Sequence, residues 1–476
     1  MLPDLLLSLL YPVALWLFCI TLWKHYINSL KDSASSLPLP PGTVGLPFIG
    51  ETFHMICQGW QFYKSRKEKY GHIYKTHVMG KPTIRVWGTH NIQQILKNEE
   101  MLVTMAWPKS SIEIIGRKSI VASTRKDHNM RRALYSRAFT KAAVQNYNIR
   151  LEEIIRKWVL EKCDQVDVIK CLPETRELSL RATVSALLGK QLKQKQLETL
   201  TASLNTMAAN FFSVHVNIPG TGFNQAMVAR ESVLKVIREV IHENQRLPDQ
   251  HKDDVLSVLL SEMESGDLKQ VEIEDMLIEG LFSALNGLPS LCCSTLVHLA
   301  QYPKVVSRLV EELEDSDLMQ SDQCLSLDDL KGLPYLEQVW KEITRSSPPF
   351  GGGFREVIKT FELEGYQIPA GWTVLYSIRD NHEAEENFHL HSDFNPDRWQ
   401  DVKTNAAWMP FGGNGIRSCV GQRFTITFLQ QFIVTAVKYS KWELHEANPK
   451  FSSFPVLLPN AQLPVVFHHR KLKHSE

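Results

Sequence analysis

The apolar positions of this chain change rhythm twice. From Leu5 to Trp23 they run almost without a break, interrupted by Ser8 and Pro12, and then give way to Lys24, His25 and Lys31. A run of that length predicts a helix able to cross a bilayer. Asp4 stands ahead of it and bulky Leu22-Trp23-Lys24 closes it, whereas a cleaved leader carries basic residues in front and small residues at its cleavage site. A retained anchor is therefore expected over residues 1–24, the lysines after it holding the rest of the chain on the cytoplasmic side. Ser33 to Ser36 and Leu37-Pro-Leu-Pro-Pro-Gly42 cannot prolong the helix, so residues 25–42 read as a polar, proline-rich linker. Residues 72–87 alternate in the manner of a two-stranded hairpin. From there to about residue 345 most segments read helical, the charged stretch from His242 to Asp254 reads as a surface loop, and Phe424, Phe428, Phe432 and Val437 mark a further helix. The expected fold is mainly α with small β-sheets, in one large domain over residues 43–476.

Net charge is +1 and no lysine- or arginine-rich tract stands out, so nothing points to nucleic acid. Eight cysteines occur without C-x-x-C spacing, which gives neither a disulfide framework nor a zinc site. Cys419 stands apart, in Phe411-Gly-Gly-Asn-Gly-Ile-Arg-Ser-Cys-Val-Gly421, directly ahead of a helix. Unpaired amides and the helix dipole favour its thiolate. Gly412, Gly413 and Gly415 permit backbone angles that let the chain lie flat against something planar, and Arg417 offers a fork for a carboxylate. One reading is a small buried cysteine beside a turn. The other is a thiolate under the iron of a carboxylate-bearing macrocycle, haem, where thiolate ligation favours O–O cleavage. His128 and Arg132, four apart, share a helix face that is either a solvated basic surface or a place for a haem propionate.

The cysteine loop resembles the haem-binding signature of the cytochrome P450 superfamily, Phe-x-x-Gly-x-Arg-x-Cys-x-Gly. Gly415, Arg417, Cys419 and Gly421 match in register, and Phe411 lies one residue early. Glu342 and Arg345, followed by Phe394-Asn-Pro-Asp-Arg-Trp399, resemble the family's Glu-x-x-Arg and Pro-x-Arg segments. Leu37-Pro-Leu-Pro-Pro-Gly-Thr, Tyr70-Gly-His-Ile-Tyr-Lys-Thr-His, Gly353-Phe-Arg and Lys359-Thr-Phe-Glu-Leu-Glu-Gly-Tyr-Gln-Ile-Pro369 are similar to the microsomal retinoic acid hydroxylases, from about residue 37 nearly to the C-terminus. The resemblance implies the P450 fold behind a transmembrane helix, in the endoplasmic reticulum membrane with its catalytic domain cytoplasmic. It implies haem b with Cys419 as axial ligand, and His128, Arg132, Arg355, Arg417, Gly415 and Gly421 around the cofactor. It implies a supporting charge network of Glu342, Arg345 and Arg398, and electrons from NADPH through NADPH-cytochrome reductase, met by a basic surface of Lys126, Arg131, Arg137 and Lys141. Trp107, Phe212, Phe282 and Phe354 fall where that subfamily lines its cavity for retinoic acid, each equally suited to ordinary core. Lys81 and Arg85 are candidates for the retinoid carboxylate, or exposed strand residues.

The chain departs from the family on its central helix. Asn286 stands at the position of the acid, and Gly287 and Leu288 occupy the two hydroxyl positions. O–O cleavage needs protons delivered to the distal oxygen, and an amide delivers none by ionising. Ser283 and Ser290, four before and three after Gly287, are expected to share its face and hold a water there. Pro289 is expected to kink the helix and free the Leu285 carbonyl. The readings are thus a retinoic acid hydroxylase with an altered relay, a haem-thiolate isomerase or lyase acting on a peroxide, and a turnover-deficient retinoid-binding haem protein.

Overall fold

The computed structural model describes residues 2–246, 254–321, 323–400, 407–453 and 455–471. The chain divides into two compact units: a smaller one of Met1–Ala106, Gly351–Ala384 and Gly413–Ile416, and a larger one of Trp107–Phe350, Glu385–Gly412 and Arg417–Glu476.

The smaller unit is built on a five-stranded sheet in the order Ile73–Val78, Lys81–Val86, Thr373–Ser377, Gly352–Val357, Val103–Met105. The expected hairpin is present, with Ile73 opposite Val86 and Val78 opposite Lys81. Its two-residue turn places both Met79 (φ 53°) and Gly80 (φ 74°) in the left-handed region, as the twist of a tight hairpin requires. Lys81–Val86 runs parallel to Thr373–Ser377 and the other pairings are antiparallel. Met55, Phe62, Tyr63, Val78 and Leu375 form a core against which Trp60 and Phe354 pack.

The N-terminal helix runs over Leu2–Ser29, through Pro12 and past the boundary expected at residue 24. Leu10–Ser29, with mean hydropathy 1.2, is one of two stretches among the described residues long and apolar enough to cross a membrane. The linker is no free spacer. Trp372 donates its indole N–H to the Leu30 carbonyl (3.2 Å), Asp32 donates its amide to Gln367 Oε1 (2.8 Å), and the Lys75 amide donates to the Pro41 carbonyl (2.7 Å). A Cβ on Gly42 would lie 2.0 Å from the Lys75 carbonyl oxygen, so only glycine admits this approach.

The larger unit is helical, with two small sheets at its margins. Helices Lys141–Cys163, Cys171–Leu188, Gln270–Gln301 and Gln422–Tyr439 pack on one another at its centre. Phe424, Phe428, Phe432 and Val437 are all buried as their spacing predicts, and the Phe428 and Phe432 rings stack 6.4 Å apart. Each such ring removed from water contributes roughly 2–3 kcal/mol. Gln270–Gln301, the second long apolar stretch, is a core helix and continues unbroken through Pro289. Cys292 and Cys293 are fully buried on it, and all eight cysteines are free thiols. Helix Gly222–Arg246 takes in His242 to Arg246, where a loop was expected, and Pro248 lies outside the described residues.

Candidate active site

Gly421 caps helix Gln422–Tyr439, and the loop before it closes by a hydrogen bond from the Cys419 amide to the Phe411 carbonyl (2.8 Å). Gly412 (φ 84°) and Gly413 (φ 65°) are both left-handed; two consecutive glycines of this kind absorb the residue by which Phe411 precedes the signature position. Gly415 lies close against Leu96: a Cβ there would crowd that residue's side chain and carbonyl at 3.1 Å. Cys419 remains exposed. Loss of hydration within the loop pushes its thiol up from the ordinary value, while the Gly421 amide and the Arg132 guanidinium pull it down. The amide favours the thiolate as the loop's place ahead of a helix suggests, the loss of hydration outweighs it, and a bound cation is what deprotonates a coordinating thiol.

The loop is propped by a chain of contacts from a buried carboxylate. Glu342, fully buried, accepts from Arg345 Nε (2.8 Å) and Nη2 (2.9 Å), Arg398 Nε (3.0 Å), the Trp399 indole (3.1 Å) and the Asn395 amide (2.9 Å). Arg398 also donates to the carbonyls of His389, Leu390 and Asp393, which fixes the segment between. The ring of Trp399 meets Trp408 (5.8 Å), which donates to Thr344 (3.2 Å) and packs edge-on against Phe411 (6.0 Å). Glu342, Arg345 and Arg398 thus act together, as the sequence implies.

Arg132 turns inward on the loop, donating to the carbonyl and hydroxyl of Ser418. Burial lowers its pKa, and among the described residues no carboxylate pairs with it. Arg417 donates to the Ser123 carbonyl at 2.9 Å. His128 is buried on helix Arg125–Ala138, with Nδ1 3.4 Å from Asn129 Oδ1. Arg355 differs: it lies buried in the smaller unit with its Nε on Glu99, a carboxylate already in place. The donor set fits haem through an accessible sulfur, a glycine-closed loop and the half-buried Arg132; Arg355 is committed elsewhere. The expected basic surface is also revised. Arg131 is buried on Glu272 (2.6 Å) and Ser123, while Lys126, Arg137, which pairs with Glu262, and Lys141, which pairs with Asp328 (2.9 Å), are exposed.

Helix Gln270–Gln301 is buried around most of its girth, yet Glu279, Gly280, Ser283, Ala284 and Gly287 form a stripe that is open or half-open. Ser283 and Gly287 share it as expected. Ser290 does not: it is fully buried, its hydroxyl without a hydrogen-bond partner among the described residues. Asn286 turns its amide back on its own helix, donating to the Phe282 carbonyl at 2.7 Å. Glu279 was not anticipated. Its carboxylate accepts the amides of Ile120 (2.6 Å) and Val121 (3.1 Å); burial nonetheless pushes it up to about 7, with Asp275 adding to the rise and Arg417 opposing it.

Of the four aromatics, Trp107, Phe212 and Phe282 gather around Phe211, which stands 5.5, 5.0 and 5.1 Å from them by ring centroid. Phe211 was missed although it adjoins Phe212, and the Phe-Phe pair at a helix end was the signal available. Phe354 packs in the smaller unit with the core around Trp60 and Tyr63. Lys81 is exposed, 3.6 Å from Glu356. Arg85 is neither exposed nor uncommitted: it is buried, donates to Asp380 (2.8 Å) and Ser377 (2.7 Å), and lies over the Tyr63 ring.

A profile of the family described as Cytochrome P450 matches residues 40–467. Cytochrome P450 26B1 of Danio rerio is 34% identical over 461 residues, covering 94% of this chain and 90% of that protein. Cytochrome P450 26A1 of Xenopus laevis is 34% identical over 481 residues, covering 98% of each. Among solved structures, the retinoic-acid-bound cyanobacterial CYP120A1 superimposes with a TM-score of 0.83 at 27% identity, over 91% of this chain and 100% of that one.

Proposed function

Since this chain belongs to the cytochrome P450 family, whose cofactor is a haem held by cysteine thiolate, we propose that it hydroxylates retinoic acid. Oxygen and NADPH-derived electrons from a partner reductase serve the reaction, at the endoplasmic reticulum membrane where Leu10–Ser29 is the anchor. The observation that carries this reading is the likeness, along nearly the whole chain, to a P450 solved with retinoic acid bound.

Cys419 would hold the iron of the haem, and Arg132, Arg417 and His128, on the loop and on the helix beside it, would hold its carboxylates. When bound, the haem supplies oxygen activation, to which the thiolate lends electron density. The chain's own residues do the rest. Trp107, Phe211, Phe212 and Phe282 grip a polyene, fixing which carbon is presented. Ser283, on the open stripe one turn before Gly287, is the hydroxyl that holds a proton-carrying water; Asn286, tied to Phe282, does not.

The test is turnover of all-trans-retinoic acid with reductase, NADPH and labelled oxygen gas. A product carrying one labelled oxygen, formed only with NADPH, supports the hydroxylase. The lack of any hydroxyl at Gly287 and Leu288 favours a second reading, an isomerase or lyase acting on a peroxide. Conversion of a lipid hydroperoxide without NADPH, and no labelled product, would establish that reading instead.

A further inference from the structure

Five arginines are buried among the described residues: Arg85, Arg131, Arg345, Arg355 and Arg379. Four hold carboxylates of the chain, namely Asp380, Glu272, Glu342 and Glu99. Arg379 has no such partner among the described residues. It is 7% exposed, and its Nη2 makes no hydrogen bond. The nearest candidate in sequence, Asp380, gives Oδ2 to Arg85. Burial pulls the Arg379 pKa down; Glu383 and Asp380 hold it up from a distance, and Arg85 works against it. A guanidinium withdrawn from water without an ion pair is costly, on the order of several kcal/mol. A fold that pairs four of its five buried arginines and leaves one open points to an anion from outside the chain.

The surroundings of Arg379 fix what kind of anion. Its guanidinium lies 5.1 Å from the Trp60 ring centroid, an arrangement that orients the fork and supports the charge. Trp60 and Phe354 pack on Met55, Phe62, Tyr63, Val78 and Leu375, an apolar wall. Gly351, whose carbonyl accepts the Arg379 amide, presents no side chain; a Cβ there would stand 3.9 Å from Nε. A planar fork beside aromatic and aliphatic surface suits a carboxylate at the end of a hydrophobic molecule. We propose that Arg379 binds the carboxylate of an apolar carboxylic acid, in place of Lys81 and Arg85. For retinoic acid as that ligand the inference rests on the function proposed above; for any other apolar carboxylic acid it rests on Arg379, Trp60 and Phe354 alone.

The test uses the full haem-loaded chain and quenching of its tryptophan fluorescence by all-trans-retinoic acid and by its methyl ester. The unaltered chain is expected to bind the acid at least tenfold more tightly than the ester. Arg379→Met abolishes that preference by weakening the acid alone, and Arg379→Lys restores part of it. A preference that survives Arg379→Met, with the unfolding transition unchanged, overturns the inference. Should Arg379→Met fail to fold, the Lys variant decides: loss of part of the preference supports the assignment and full retention overturns it. If the unaltered chain binds neither retinoid, the retinoid reading fails by itself. Palmitic acid and its methyl ester then decide Arg379 by the same ratio.

Discussion

Cys419 must ionise to hold iron, and the fields of the chain are divided over it: the Gly421 amide and Arg132 favour the thiolate, loss of hydration opposes it. The ligand and the charge are therefore linked, since metal binding is what settles the proton. Cys419→Ala is expected to remove the thiolate-type absorption of the reduced carbon monoxide complex, a spectrum that no other cysteine supplies if the ligand is assigned correctly. Glu279 raises the opposite question. Its folded pKa of about 7 lies above the ordinary carboxylate value, so the folded state binds the proton more tightly than the unfolded chain. Its contribution is fully present below about pH 4.5 and is lost as the pH rises through about 7, a swing on the order of 3 kcal/mol. Urea unfolding of the haem-loaded protein at pH 5 and pH 8 measures it. Glu279→Gln should narrow the difference between the two midpoints, and an unaltered difference would mean that other groups govern it.

Among the elements, the helix Gln270–Gln301 and the prop on Glu342 show what the sequence reveals and what it hides. The network was legible because charged residues at fixed spacing have few partners available, and Glu342, Arg345 and Arg398 meet as implied. The route from Trp399 through Trp408 to Phe411 was not, since aromatic neighbours are chosen by packing and leave no period in the chain. On the central helix, periodicity set Ser283 beside Gly287 but gave Ser290 the wrong surroundings, because helical spacing says which residues share a face and not how wide the opening is. Arg85 and Arg131 were misread in the same way: charge in a sequence suggests water, and a paired arginine can be buried. Glu342→Gln should cost about 3–5 kcal/mol in denaturant unfolding, because it leaves the buried Arg345 and the half-buried Arg398 without their anion. Replacing Asn286-Gly287 by Glu-Thr should raise the fraction of NADPH electrons recovered in product. An unchanged fraction would indicate that Ser283 and its water already suffice.

For the whole molecule, the N-terminal helix is fastened to the sheet-bearing unit by packing. Trp23 and Ile27, on the last turns of the N-terminal helix, are buried; the Trp23 ring meets Phe48 (5.6 Å) and His77 (5.1 Å), and its indole donates to the Val44 carbonyl. Gln367, fully buried on the strand Tyr366–Ile368, takes the Asp32 amide and donates to the Leu37 carbonyl, so residues 30–42 are held at both ends. Proline-rich composition suggested a spacer because composition reports stiffness and is silent about where the segment docks. Burial of one indole and two hydrogen bonds stabilise this attachment by roughly 3–4 kcal/mol, which corresponds to roughly several hundredfold in the population of the released form. In a bilayer disc, the unaltered chain should therefore resist trypsin at Lys31, and Trp23→Ala combined with Gln367→Ala should raise cleavage there at least tenfold. Equal rates in the two proteins would show that the join is not held by these residues. A faster rate would mean that side-chain packing, not the length of a tether, holds the N-terminal helix to the rest of the smaller unit.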